Sequence, residues 1–417
     1  MTSSRPALLE ACAALILITS AVLFGGVYAW CYAGIAAAAF TLLFIFPEAV
    51  TDPKLTPAPP QLMVLGVLLY VVLQTFFLSK VPEVSKEHLL QWSSCLIIFL
   101  TVRKLGRGSV LRILVLTGVL GALISLYGIF ETLTFREHVL WHSKEAHRGF
   151  VTGTYFNRNH YAGLMEMAIP LQLAYLIRSV SKRSLAQTMT FLILLIPSFA
   201  GLALSGARTA MTCLLLSALL LSLPLMRRFG EVSPLSRLFL PLLLGVSGLL
   251  WGWDTVSSRF SQAVFQLHSL EGRVAVWEQM AAILRDYGIR GAGLGTFGWI
   301  FPAYQPASLD YAWLHAHQDY LELAVEIGIP AAAVIVLASG WLMVHVLTKA
   351  CASDFSTYVL IWGCCAGLLS LSLHGLMDFN LALPGQTVVF FSVLAAALRL
   401  SDFERKASAV RGVGTDG

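Results

Sequence analysis

Four short stretches of this 417-residue chain hold side chains that can move protons or bind anions. The densest runs from Trp313 to Pro330, with His315 and His317 two apart and Asp319, Glu322 and Glu326 behind them. Imidazole suits proton transfer near neutral pH. The three acids share one helix face by their three- and four-residue spacing. A His-x-His pair can be half of a metal site, but no Cys or carboxylate cluster completes it. No metal ligand set and no cofactor are therefore expected.

A second stretch couples Glu271-Gly272-Arg273 with the run Gly288-Ile289-Arg290-Gly291-Ala292-Gly293-Leu294-Gly295-Thr296-Phe297. Residues 273–286 have helical apolar spacing, which puts Arg273 near a first turn. The glycines follow a helix and lack a strand–turn–helix setting, so they read as a tight connection and not a dinucleotide loop.

The third is the turn Ser205-Gly206-Ala207-Arg208-Thr209 between two apolar runs. Arg208 can snorkel to lipid phosphate or bind the diphosphate of a lipid-linked substrate. Ser205 lacks the G-x-S-x-G elbow of a hydrolase nucleophile. The fourth is Gly153-Thr154-Tyr155-Phe156-Asn157-Arg158-Asn159-His160. Asn157 and Asn159 there are either helix caps or functional groups. Glu166 follows inside an apolar run, where an ionisable group is a functional candidate unless it reaches the interface.

The elements that must position these residues are membrane helices. The chain is 57% hydrophobic and only 12% charged, against about 25% charged in soluble domains. Its apolar runs are roughly 17 to 25 residues long, enough to cross a hydrocarbon core about 30 Å thick. Within lipid such runs must be helices, because each backbone amide has to be satisfied locally. They fall near 8–25, 28–46, 61–78, 89–102, 110–132, 161–177, 188–204, 209–226, 238–253, 321–347, 357–373 and 385–400. The fold class is an all-α integral membrane protein of about twelve spans, with one long loop between the ninth and tenth. The first run follows Arg5 like a signal peptide, but a second follows at once, and it reads as a retained anchor.

Lys and Arg set the orientation. With the N-terminus cytoplasmic, the inner loops hold Arg103, Lys104 and Arg107, then Arg178, Lys182 and Arg183, then Arg227, Arg228 and Arg237. The tail adds Arg399, Arg405, Lys406 and Arg411 on the same side. The long segments 134–160 and 254–320 then face outward, and every His except His345 lies at or near that face. The chain divides into N-terminal helices at 1–133, central helices with an outer loop at 134–253, the outer loop 254–320, and C-terminal helices with a short tail at 321–417. Neither long outer loop holds Cys, so no disulfide framework is indicated. Nor does a basic patch interleaved with aromatics mark a nucleic-acid partner.

Together these stretches resemble the O-antigen ligase and polymerase superfamily of bacterial membrane glycosyltransferases, over about residues 150–400. The most specific part is Gly291, Gly293, Gly295, Thr296 and Phe297, then Pro302 and Tyr304, then His315, His317, Asp319 and Tyr320, with Glu326 and Gly328 behind. The Arg208 turn and the Arg273 element match places where such proteins carry essential Arg. The stretch His374-Gly375-Leu376-Met377-Asp378-Phe379 before the last span looks like the family's ending.

The resemblance implies a glycan donor on undecaprenyl diphosphate and metal-independent transfer to an acceptor hydroxyl, on lipid A-core or a second glycan. It implies a plasma-membrane protein of the bacterial cell envelope. Residue chemistry fits this. A sugar diphosphate carries a good leaving group, so the donor needs cationic stabilisation, from Arg208 and Arg273. The acceptor needs a base, His317, oriented by Asp319 or Glu322, with His315, Asn157 and Asn159 in support. Attack opposite the leaving group inverts the anomeric centre. A transporter or flippase of lipid-linked glycan is the alternative, though such proteins usually carry polar groups at the bilayer midplane in repeated halves.

Overall fold

The computed structural model describes residues 4–49, 59–229, 263–309 and 312–413, and they are almost wholly helical. In chain order the helices are α1 (Ser4–Val22), α2 (Ala29–Ile45), α3 (Pro59–Phe77), α4 (Pro82–Lys104), α5 (Arg107–Leu133), α6 (Arg158–Ser181), α7 (Leu185–Ser205) and α8 (Arg208–Phe229). After the undescribed 230–262 come α9 (Ala263–Tyr287), α10 (Phe297–Ile300), α11 (Asp319–Ile327), α12 (Ile329–Ala350), α13 (Phe355–His374) and α14 (Pro384–Val413). A two-stranded hairpin pairs β1 (His138–Val139) with β2 (His142–Ser143) between α5 and α6.

Six of the described helices, α1, α5, α7, α12, α13 and α14, are long and apolar enough to cross a membrane; α2, α3 and α8 carry shorter apolar stretches. The chain is a helical membrane protein. The expected ninth span, 238–253, lies outside the described residues.

Three boundaries differ from the sequence expectation. The expected span 321–347 is two helices, α11 and α12, divided at Gly328. Gly328 has φ +84°, and a Cβ there would stand 2.5 Å from the Ile289 carbonyl oxygen. Only glycine meets both demands, a left-handed backbone and a close approach. The helix holding Arg273 starts at Ala263, so Arg273 sits in its third turn and not its first. Helix α4 begins at Pro82, not near residue 89, because Pro starts a helix well and the polar Glu83–His88 turns extend past the apolar run.

The centre of the bundle is α6, buried on every side from His160 to Ile177. It packs most extensively against α13 and α7, and α14 against α4. Small residues let α13 close on α6: a Cβ at Gly363 would meet Ala174 Cβ at 2.6 Å, and one at Gly367 would meet Met167 Cα at 3.0 Å. Such contacts are how membrane helices approach without a hydrophobic driving force between them. Because α6 meets protein and not lipid, it can hold Glu166 and Gln172 fully buried.

The two ends of the bundle differ in charge. At one end Arg103 meets Asp402 at 2.9 Å, Lys349 meets Asp402 at 3.9 Å, and Arg107 meets Asp354 at 3.8 Å. The opposite end gathers the close of α5 and α13 and the start of α6 and α14, and there the His-rich connections lie.

Candidate active site

The connection before α11 is pinned from several sides. Trp277 of α9 donates its indole N–H to the Ala316 carbonyl at 2.8 Å. Gln318 caps α11 by accepting from the Leu321 amide, and the Asp319 amide donates to the Gly375 carbonyl at 2.8 Å. His317, between these anchors, has φ +51°. A non-glycine residue in the left-handed region is uncommon, and such strain gathers at functional sites.

The glycine run forms the floor beside this connection. Gly291, Gly293 and Gly295 all have positive φ, and a Cβ at Gly295 would overlap the His88 ring of α4. The Ala292 and Gly293 amides donate to the Val325 and Glu326 carbonyls at 2.8 and 2.9 Å. Ser85 Oγ donates to the Leu294 carbonyl at 3.0 Å. The run is the tight connection its setting required, seated between α4 and α11.

Asp378, in the short link from α13 to α14, is the hub. It is 1% exposed, and four groups from three other elements and its own link converge on it. Its Oδ1 accepts from His317 Nδ1 at 3.3 Å and from the Phe379 amide at 3.0 Å. Its Oδ2 accepts from Asn159 Nδ2 at 2.7 Å and meets Arg273 Nη2 at 3.5 Å. Arg273 Nη1 also donates to the Met377 carbonyl at 2.8 Å, so one guanidinium grips two successive residues. Burial alone would raise the Asp378 carboxyl, but the His317 hydrogen bond and the Arg273 charge hold it well below the usual carboxylate range.

The two imidazoles of the His-x-His pair are divided between two acids. His315 Nδ1 bonds Glu322 Oε1 at 2.7 Å, while Glu322 Oε2 accepts from the Ala316 amide at 2.7 Å. Burial opposes a charged His315, yet the Glu322 carboxylate outweighs it and raises His315 above the ordinary imidazole range. Glu322 therefore holds His315 and not His317, which corrects the expected orienting role. Asp319 does not orient His317 either: its Oδ2 accepts from the Leu381 amide at 3.2 Å. Burial pushes Asp319 well above the carboxylate range, against the Leu381 hydrogen bond and with help from the Glu322 charge.

Phe379 stands among three imidazoles. His315 stacks on it (4.0 Å, 10°), and His317 and His160 meet it edge-on at 4.8 Å. Trp313 adds an edge contact to His317 at 5.2 Å.

The two asparagines separate by role. Asn157 is the cap of α6, its side chain accepting from the Asn159 amide at 2.8 Å. Asn159 is the one that reaches Asp378. Arg208 heads α8 just past Gly206, which closes α7 at φ +59°. That turn meets the head of α6: a Cβ on Gly206 would stand 3.3 Å from Arg158 Nη1, and the Arg158 guanidinium lies 4.3 Å over the Phe150 ring. Ser205 Oγ donates to the Leu202 carbonyl at 2.6 Å, a local helix-end bond. Glu166 does not reach an interface; it is fully buried and paired with His374.

The structure thus joins His317, Asn159 and Arg273 around Asp378, sets His315 with Glu322 alongside, and leaves Asn157 as a cap. Sequence reasoning did not assign Asp378 or Arg158 to the site, although both stood inside quoted stretches. An acid four residues after a helix-ending His, at the His-rich end, was the available signal for Asp378. Among the described residues, no group of three or more His, Cys, Asp or Glu is placed to hold a metal ion.

Residues 192–336 match the protein-family model described as O-antigen ligase. No curated protein matches the chain. The matched segment contains Arg208, Arg273, His315, His317, Asp319 and Glu322; over about a third of its length the chain is thus similar to the O-antigen ligase family.

Proposed function

We propose that the chain is a membrane glycosyltransferase that moves a glycan from an undecaprenyl-diphosphate donor to an acceptor hydroxyl, on lipid A-core or on a second glycan. The carrying observation is the Asp378–His317 pair with Arg273 on the same carboxylate. His317 turns Nδ1 to Asp378, which leaves Nε2 as the nitrogen for a substrate. A carboxylate behind the imidazole fixes its tautomer and stabilises the imidazolium that forms, the logic of the hydrolase triads.

In this mechanism the acceptor hydroxyl gives its proton to His317 Nε2, and its oxygen forms the new bond to the anomeric carbon. The bond from that carbon to the diphosphate oxygen breaks, and its electron pair leaves on the diphosphate. Arg273 meets that charge: its Nε–H is buried without a hydrogen-bond partner among the described residues. Arg208, at the turn beside Arg158, supplies a second cation. Attack and departure on opposite faces invert the anomeric centre. His315 is unsuited to the base role, because Glu322 favours its protonated form.

Transfer measured with a lipid-diphosphate glycan donor and each acceptor class tests this reading. Activity should persist in excess chelator; loss with EDTA and recovery with one divalent cation would refute the metal-independent step. Arg273→Ala and Arg208→Ala should each weaken donor use strongly, with poor rescue by Lys because the planar fork is lost. Near-normal donor use in both Ala variants would return these side chains to packing and lipid contact.

The site faces the outside in this reading, because the opposite end of the bundle carries the Lys and Arg cluster. Reporter fusions after residues 107, 183 and 230 should read cytoplasmic and one near 280 external. A cytoplasmic reading near 280 would overturn the placement of the site.

A further inference from the structure

Glu166 on α6 and His374 on α13 are both fully buried, and the transfer steps above do not use them. Glu166 Oε2 bonds His374 Nδ1 at 2.7 Å, and Glu166 Oε1 accepts from Ser370 Oγ at 2.6 Å. Taking two ionisable groups out of water is costly even when they are paired, and an apolar pair holds two helices at least as well. Helices α6 and α13 already close on each other through Gly363 and Gly367. Adhesion between the helices therefore does not account for this pair.

Its location does. His374 is the last residue of α13, and its carbonyl accepts from the Met377 amide at 2.9 Å and the Asp378 amide at 3.1 Å. A grip on the imidazole is thus passed, through one turn of backbone, to the residue that holds His317, Asn159 and Arg273. On its other side His374 Nε2 is buried with no hydrogen-bond partner among the described residues. The same holds for His160 Nε2, both side-chain polar atoms of Asn380, and Gln386 Oε1. Asn380 and Gln386 converge on Gly163, where a Cβ would stand 2.8 Å from each. A cluster of buried polar atoms therefore underlies the link that carries Asp378.

We propose that Glu166 and His374 are positioning residues for the transfer reaction: the pair sets the last turn of α13, and with it the place of the Asp378 carboxylate against His317 and Arg273. This rests on the functional reading above. The acid and imidazole touch no substrate; they act through Asp378.

The test is turnover per folded molecule and donor KM in the purified full chain, with melting temperature measured beside them. His374→Leu should lower turnover on the order of 10²-fold, the loss a roughly 1 Å misplacement gives, with donor KM nearly unchanged. His374→Asn should recover most of it, because Asn Nδ2 can donate to Glu166 from the place of Nδ1. Glu166→Gln, which keeps an acceptor for Ser370, should fall between the two. Variants that melt lower yet turn over at the wild-type rate would overturn the proposal, as would a loss lying wholly in donor KM. If His374→Leu does not fold, Glu166→Gln and His374→Asn decide by the same readouts. An inactive wild type with every acceptor would overturn the functional reading and this inference with it; an active wild type with unaltered variants overturns this inference alone.

Discussion

His317→Ala should lower turnover on the order of 10²–10⁴-fold, the usual loss when a general base is removed, while lipid-donor binding stays near normal. His315→Ala should cost roughly tenfold or less, below the range for a lost base. The asymmetry follows from the partners. His317 faces the buried Asp378 at 3.3 Å with its second nitrogen left for substrate, whereas His315 is bound to Glu322 at 2.7 Å and stacked on Phe379. An imidazole that Glu322 keeps protonated to higher pH cannot accept a proton as readily. Turnover and donor binding, measured separately in both purified variants, decide the assignment. An inactive His315→Ala enzyme beside an active His317→Ala enzyme would reverse the roles, and a His317→Ala enzyme unable to bind donor would make His317 a binding residue.

Asp378→Asn should be as damaging as loss of the base, again on the order of 10²–10⁴-fold in turnover. The amide keeps the volume and can still accept from His317, but it no longer stabilises an imidazolium. It also leaves Arg273 without the carboxylate it now meets at 3.5 Å. Asp378→Ala goes further and breaks a buried charge pair from one side, which typically costs about 3–5 kcal/mol of stability. Asp378→Glu should not rescue, since an extra methylene in a filled site is itself destabilising, by about 1–3 kcal/mol. Turnover and melting temperature across the three substitutions separate chemistry from folding. An Asn enzyme at wild-type turnover would reduce Asp378 to a structural acid and remove the basis for reading His317 as an oriented base.

Where the helices lie was legible from the residues, because lipid leaves an apolar run of this length one way to satisfy its amides. The tight nature of the Gly291–Gly295 connection was legible too, from its lack of a strand before it. So was His317 as an imidazole with Asp319 and Glu322 close by in sequence, since composition and spacing are local properties. The acid that meets it was not. Glu322 lies five residues from His317 and Asp378 sixty-one, so spacing favoured the wrong one. Only the packing of α13 beside α6, and the approach of the connection before α11, brings Asp378 to His317. The same holds for the asparagines: both sit at a helix start, but only the direction of α6 relative to the α13–α14 link turns Asn159 toward Asp378 and leaves Asn157 to cap. Gly328 was visible as a glycine in an apolar run, yet its effect depended on the Ile289 carbonyl from another part of the chain. Glu166 was legible as an ionisable group inside an apolar run, a functional candidate unless it reached the interface, because depth in a membrane is all that sequence position encodes. What surrounds α6 on every side, and so gives that carboxylate His374 for a partner, is decided by tertiary structure, where long-range contacts fix which buried charges meet.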